Sequence, residues 1–207
     1  MRLTVPGPTV FLIDDQKAVR EALAEMLSVF GFEVETYPSA DSFLAALPPQ
    51  LGCIVADVRM PGTDGIELTR ELARRKISLP VVLISGHADV PMAVAAIKAG
   101  AEDFIEKPID DAQLVAAVNR GMARLFEQQS QQKSVEMLAA QFARLTPRQV
   151  EIFDLVATGY TSQAIAAKLK ISPRTVESYR AEIMEKMQAE SVAVLIRPAI
   201  RLGRVTL

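Results

Sequence analysis

Five polar side chains in this 207-residue sequence have types and positions that could do chemistry together. Asp14 and Asp15 follow the apolar run Val10-Phe11-Leu12-Ile13, Asp57 follows Cys53-Ile54-Val55-Ala56, Ser85 follows Val81-Val82-Leu83-Ile84, and Lys107 comes just past Phe104-Ile105. If these runs are parallel strands, their polar ends meet at one edge of a sheet, in the crevice where open α/β sheets bind ligands. Three carboxylates, a hydroxyl and an ammonium can there hold a divalent cation and a phosphoryl group. A carboxylate attacking phosphate brings like charges together, so the reaction needs a cation, and Mg²⁺ suits these hard oxygen donors. Asp57, after what reads as the central strand, is the expected acceptor, which leaves Asp14 and Asp15 to hold the metal. Lys107 can pair with Asp57 at rest and with phosphoryl oxygens afterwards, and Ser85 can donate to those oxygens.

Strand candidates lie near 9–13, 33–37, 52–56, 80–84 and 103–106, with helical apolar spacing between them. Val19, Leu23, Met26, Leu27 and Phe30 share one helical face, as do Leu114, Val115, Val118, Met122 and Leu125 around 111–125. Five βα units imply a parallel sheet covered by helices on both sides. Residues 127–143 contain no Gly or Pro and begin Gln-rich. They read as a linker, either a continuation of the preceding helix or, over 127–134, a flexible polar tether.

From Leu145 onward no strand pattern is visible. Thr146-Pro147 is a capping residue with Pro at the first helical position, and Gly159 ends that helix. Thr161 opens a second helix with Ile165, Ala166 and Leu169 inward, and Ser172-Pro173 caps a third. A fourth starts near Ser191, with Val192, Leu195, Ile196, Ala199 and Leu202 on one face. Four short helices with tight turns make a compact domain containing a helix-turn-helix pair. On its third helix Val176, Ile183 and Met187 form a core stripe flanked by Tyr179 and Met184. The opposite face carries Arg174, Glu177, Ser178, Ala181 and Glu185, and is either a solvated surface or a recognition helix. Glu177, Glu182 and Glu185 argue against simple electrostatic adhesion, but Glu can accept from cytosine and Arg174 can reach guanine. Phosphate contacts fall to the rim: Thr161, Ser162, Lys168, Lys170, Thr175, Arg180 and Lys186.

Charge supports the division. Residues 1–124 carry 12 Lys+Arg against 17 Asp+Glu, and residues 125–207 carry 11 against 8, so the second part suits a polyanion better. The single Cys53, inside an apolar run, reads as a reduced, buried thiol. His87, the only histidine, has no companion with which to form a metal site. No basic segment precedes a long apolar run and no stretch approaches the ~20 apolar residues of a membrane span, so a cytoplasmic protein making no membrane contact is expected.

Residues 9 to about 124 resemble the receiver domain of two-component response regulators, through Asp14-Asp15, Asp57 within Asp57-Val58-Arg59-Met60-Pro61-Gly62-Thr63-Asp64-Gly65, Ser85-Gly86 and Lys107-Pro108. The resemblance implies a flavodoxin-like sheet of order 2-1-3-4-5, a cis Lys107–Pro108 bond and phosphorylation of Asp57 by a histidine kinase. It also implies Mg²⁺ binding by Asp15, Asp57 and the backbone carbonyl of Arg59, with Asp14 helping through water. In the family a hydroxyl residue and an aromatic residue repack together on phosphorylation. These map onto Ser85 and Phe104, the latter lacking the commoner tyrosine hydroxyl and open equally to an ordinary core role. A homodimer through the helix at 91–99 and the strand at 103–106 follows by the same resemblance.

Residues 145 to about 203 resemble the LuxR-type helix-turn-helix, through Leu145-Thr146-Pro147-Arg148-Gln149, Gly159, Ile165-Ala166, Leu169, Ile171-Ser172, Thr175-Val176 and Lys186-Met187. Tyr179 stands where His is frequent and Ala164 where Glu is frequent. Together the two parts resemble the NarL/FixJ class of regulators. The stretches 174–181 and 184–189 look specifically like its nitrogen-fixation branch, which implies an oxygen-responsive FixL-type sensor kinase, promoter DNA and RNA polymerase as partners. The expected organisation is a receiver at 1–124, a linker at 125–143 and a DNA-binding domain at 144–207. The expected function is phosphorylation-activated transcription rather than enzymatic turnover beyond slow self-dephosphorylation. A protein-binding adaptor and a small phosphotransferase are the alternatives.

Overall fold

The computed structural model describes residues 9–49, 51–87, 89–201 and 203–204. The chain forms two compact units, residues up to Glu127 and residues from Gln128. In the first, β1 (Thr9–Ile13), β2 (Glu33–Tyr37), β3 (Gly52–Asp57), β4 (Val81–Ser85) and β5 (Asp103–Glu106) form one parallel sheet in the order β2-β1-β3-β4-β5. Between the strands run α1 (Lys17–Val29), α2 (Ala40–Ala46), α3 (Gly65–Arg74) and α4 (Val90–Ala99), and α5 (Asp111–Ala143) follows β5 as one continuous helix.

Alternation along the strands sorts the core into two layers. Phe11, Ile13, Ile54, Ala56 and Leu83 join Phe43 of α2 and Leu68 and Leu72 of α3 on one face. Val10, Leu12, Cys53, Val55, Val82 and Ile84 join Leu27 of α1 and Leu114 and Val118 of α5 on the other. β1, β3 and β4 are buried along their whole length, the pattern of strands covered on both faces. The edge strand β2 is half exposed.

One apolar residue departs from its expected helical face. Phe30 lies past the last residue of α1 and is 52% exposed, because Gly31 at φ +89° turns the chain and Phe32 takes the buried place. Two of the close approaches that require glycine seat helices on the sheet. A Cβ on Gly65 would lie 2.5 Å from the Asp57 carbonyl oxygen, and one on Gly121 would lie 2.9 Å from Pro80 Cβ and 3.3 Å from Cys53 Sγ. The first seats α3 against the end of β3, and the second lets α5 lie close on the sheet. Burial, reinforced by the charge of Glu102, pushes the Cys53 thiol up to about 12. The native chain should therefore leave Ellman's reagent unreacted at pH 8, releasing one equivalent of chromophore only in denaturant. Rapid reaction of the folded chain would contradict this burial.

In the second unit the end of α5 is followed by α6 (Pro147–Ala157), α7 (Ser162–Leu169), α8 (Pro173–Lys186) and α9 (Val192–Arg201). Thr146, Thr161 and Ser172 each accept a backbone N–H from three residues on, and Gln149 completes a capping box with Thr146. Ile152, Phe153, Val156, Ile165, Val176, Ile183, Met187, Leu195 and Ala199 form one core. Of the face expected on the last helix, Leu202 lies outside the described residues, as do the side chains of Val192 and Ile196. Phe142 meets Phe153 edge to face at 5.3 Å, and Arg204 stacks over Phe142 while pairing with Asp154. Among the described residues no helix is long and apolar enough to cross a membrane.

Candidate functional site

The parallel register brings the ends of β1, β3 and β4 to one edge, with Ile13 beside Ala56 and Asp57 beside Ile84. Asp14 and Asp57 are both buried there, and the Lys107 ammonium bridges them, donating to Asp57 Oδ1 at 2.6 Å and to Asp14 Oδ2 at 3.1 Å. The remaining carboxylate oxygens accept backbone N–H groups, Asp57 Oδ2 from Arg59 at 2.7 Å and Asp14 Oδ1 from Gln16 at 2.8 Å. Burial alone disfavours the Lys107 charge. The hydrogen bonds and charges of Asp57 and Asp14 outweigh it and hold the ammonium above the ordinary lysine pKa.

Lys107 is itself placed by its backbone, whose N–H donates to the Ser85 carbonyl at 2.8 Å, and the bond to Pro108 is cis. Ser85 is buried at the end of β4, its hydroxyl donating to the His87 carbonyl at 3.1 Å with Met92 Sδ 3.7 Å away. Phe104 is half-buried and packs against the core layer that contains Leu83, Ala96 and Ala101. His87 is exposed, and its backbone carbonyl and N–H both meet the Ser85 hydroxyl.

Sequence spacing places three carboxylates here; the structure gathers two around Lys107 and leaves Asp15 exposed. Neighbours leaving a strand send their side chains in different directions, so Asp14 turns inward and Asp15 outward. Among the described residues no three His, Cys, Asp or Glu side chains are gathered closely enough to hold a metal ion by themselves. The donors gathered here, the carboxylates of Asp14 and Asp57, are hard oxygens. They fit Mg²⁺, which is typically held by one or two carboxylates and retains several waters. Two participants escaped the sequence reading. Arg20 donates to the Asp14 carbonyl at 2.5 Å from the first turn of α1, and Met92 lies beside Ser85. Neither belongs to a spacing pattern that would have marked it.

On the second unit, Arg174, Glu177, Ser178, Ala181 and Glu185 of α8 are exposed together, opposite the buried Val176, Ile183 and Met187. Thr161 is exposed at the cap of α7, and Lys168 and Lys170 are exposed near its end, Lys168 lying over the Tyr160 ring at 5.1 Å. Thr175 is half-buried, its hydroxyl 2.8 Å from that of Ser172. Arg180 donates to Ser162 Oγ at 2.5 Å and so joins α7 to α8. Two charged residues are engaged internally. Glu182 accepts from the buried Gln149 at 2.6 Å, and Lys186 donates to Gln149 Oε1 at 2.8 Å and the Arg144 carbonyl at 3.2 Å. Lys186 therefore ties α8 to the start of α6 instead of standing free at the rim.

Residues 10–119 match the response regulator receiver domain, and residues 143–199 match the luxR family of bacterial regulatory proteins. The chain belongs to the response regulator family. Among its relatives, the transcriptional regulatory protein FixJ of Azorhizobium caulinodans is 45% identical over 94% of this chain and 92% of its own length. Response regulator protein TodT of Pseudomonas putida is 37% identical over 93% and 86%. The solved structure of response regulator StyR superposes with a TM-score of 0.85 at 38% identity, covering 94% of this chain and 99% of that one. This response regulator thus pairs a flavodoxin-like receiver of order 2-1-3-4-5 with a LuxR-type DNA-binding domain, in the manner of FixJ.

Proposed function

We propose that this response regulator takes a phosphoryl group from a sensor histidine kinase onto Asp57 and then binds promoter DNA as a homodimer to activate transcription. The observation that carries the reading is the pair of buried carboxylates, Asp14 and Asp57, held by one ammonium at the carboxyl edge of the sheet. In the transfer, an Asp57 carboxylate oxygen forms the bond to phosphorus as the P–N bond of a phosphohistidine breaks. Bound Mg²⁺ would neutralise charge on both partners, with Asp15, Asp57 and the Arg59 carbonyl as its ligands and Asp14 acting through water. Lys107 keeps its bond to Asp14 and contacts the phosphoryl oxygens, and Ser85 leaves the His87 carbonyl to donate to them. Phe104 then repacks, and the equilibrium shifts toward the dimer-competent form.

Support for a dimer through α4 and β5 comes from α4, where Val90, Val94 and Ile97 are 77%, 45% and 54% exposed at helical spacing. The likeness to FixJ supports a FixL-like kinase, nitrogen-fixation promoters, RNA polymerase as the downstream partner and action in the cytoplasm. We assign the receiver to 1–124, the linker to 125–143 and the DNA-binding domain to 144–207. Arg174, Glu177, Ser178 and Ala181 read bases, while Thr161, Ser162, Lys168, Lys170, Thr175 and Arg180 contact phosphates, with Lys186 a positioning residue behind them.

Duplexes selected from a randomised pool test this reading. Affinity should rise when the chain is treated with acetyl phosphate and Mg²⁺, and fall steeply with salt. Arg174→Ala and Ser178→Ala should cost about 1–3 kcal/mol at particular base pairs and relax preference there, while Lys170→Ala should weaken all sequences alike and reduce the salt slope by about 1. Equal binding of every duplex, with or without phosphodonor, would favour the adaptor reading.

A further inference from the structure

The loop between β3 and α3, residues 58–64, carries the Arg59 carbonyl, and its inner part is fixed from within the sheet. Val58 N–H donates to the Ile84 carbonyl at 2.8 Å, Arg59 N–H donates to Asp57, and Val58 and Met60 are buried. Asp64 ends the loop by accepting the Glu67 N–H as the cap of α3. The outer part is held differently. Asp41 of α2 accepts from the Thr63 hydroxyl at 2.6 Å and from the Thr63 N–H at 3.4 Å. Gly62, at φ +79°, passes so close that a Cβ there would lie 2.5 Å from Asp41 Oδ2. Asp41 itself stands on a rigid base. Phe43, two residues on, is fully buried with its ring 5.5 Å from Phe11 and 5.2 Å from Tyr37, and a Ser39–Ser42 capping box fixes the start of α2.

We infer that Asp41 is a positioning residue for the phosphoacceptor site: by holding Gly62 and Thr63 it sets the loop that presents the Arg59 carbonyl, and so tunes cation affinity. This rests on the Mg²⁺ reading above. Asp41 makes its bonds to the outer loop, not to the acceptor pocket. Without them the outer loop has, among the described residues, no hydrogen bond beyond those at its two ends, and the carbonyl spends less time in the orientation a cation requires.

The test uses the full chain and Mg²⁺ alone, with affinity read by isothermal titration calorimetry. Thr63→Val removes the hydroxyl bond while leaving every charge in place. It should weaken Mg²⁺ binding about threefold to tenfold, as expected for loss of one partly exposed hydrogen bond to a charged group, and Thr63→Ser should restore it. Asp41→Asn should weaken it similarly, with the unfolding midpoint nearly unchanged. Wild-type affinity in Thr63→Val and Asp41→Asn, or a fall in midpoint alone, would overturn the inference. Asp57→Asn is the control for the underlying reading. If it too binds Mg²⁺ like wild type, the cation site itself is wrongly placed, and the inference falls with it.

Discussion

Replacing Asp57 by Asn will abolish phosphoryl uptake. Treated with acetyl phosphate and Mg²⁺, the wild-type chain should gain one phosphoryl group by intact mass, and the variant none. The amide is nearly isosteric, and its single carbonyl oxygen can still accept from either Lys107 or the Arg59 N–H, so the pocket keeps its shape with one of the two hydrogen bonds. What it lacks is an anionic oxygen able to attack phosphorus. Lys107 also keeps Asp14 as a partner, so the variant should fold and melt close to wild type. Its DNA affinity should no longer respond to phosphodonor. Equal mass gain by both chains would remove Asp57 from the role of acceptor and assign the transfer to another nucleophile.

Phe153→Ala will uncouple output from input. Phe153 is fully buried and packs on Phe142 at the centre of the helical core. Truncating such a ring typically costs about 3–5 kcal/mol. A domain of this size sits toward the low end of the about 5–15 kcal/mol typical of folded proteins, so a large share of the stability of the helices after residue 144 should be lost. Circular dichroism should show the corresponding melting transition displaced to low temperature, with amide protection lost across 147–201 and DNA binding abolished. Asp57 should still accept a phosphoryl group, because Phe153 belongs to neither core layer of the sheet. Loss of phosphorylation along with DNA binding would mean that the two units do not fold independently.

Local signals made much of the fold legible. Alternation between apolar strands and helical spacing locates five βα units, and each short-range cap lies within three residues of its partner, as with Thr146 and Gln149 or Ser172 and Thr175. The motif residues Asp57, Ser85 and Lys107 are legible because strand ends in a parallel sheet share an edge. Phe30 was not, since a face read from 3.6-residue spacing does not say where the helix stops. Lys186 was not, since a cation near the end of a recognition helix looks the same in sequence whether it faces a phosphate or a buried amide.

The sequence by itself determined the succession of units, the chemistry-bearing residue types and the edge at which they gather. It could do so because strand period, helix period and capping are properties of a few consecutive residues. Tertiary structure decided which groups share a proton donor. Lys107 reaches Asp57 across 50 positions and Asp14 across 93. Only strand register and the inward turn of Asp14 select those two carboxylates over Asp15, and only the packing of α2 brings Asp41 to Thr63 across 22.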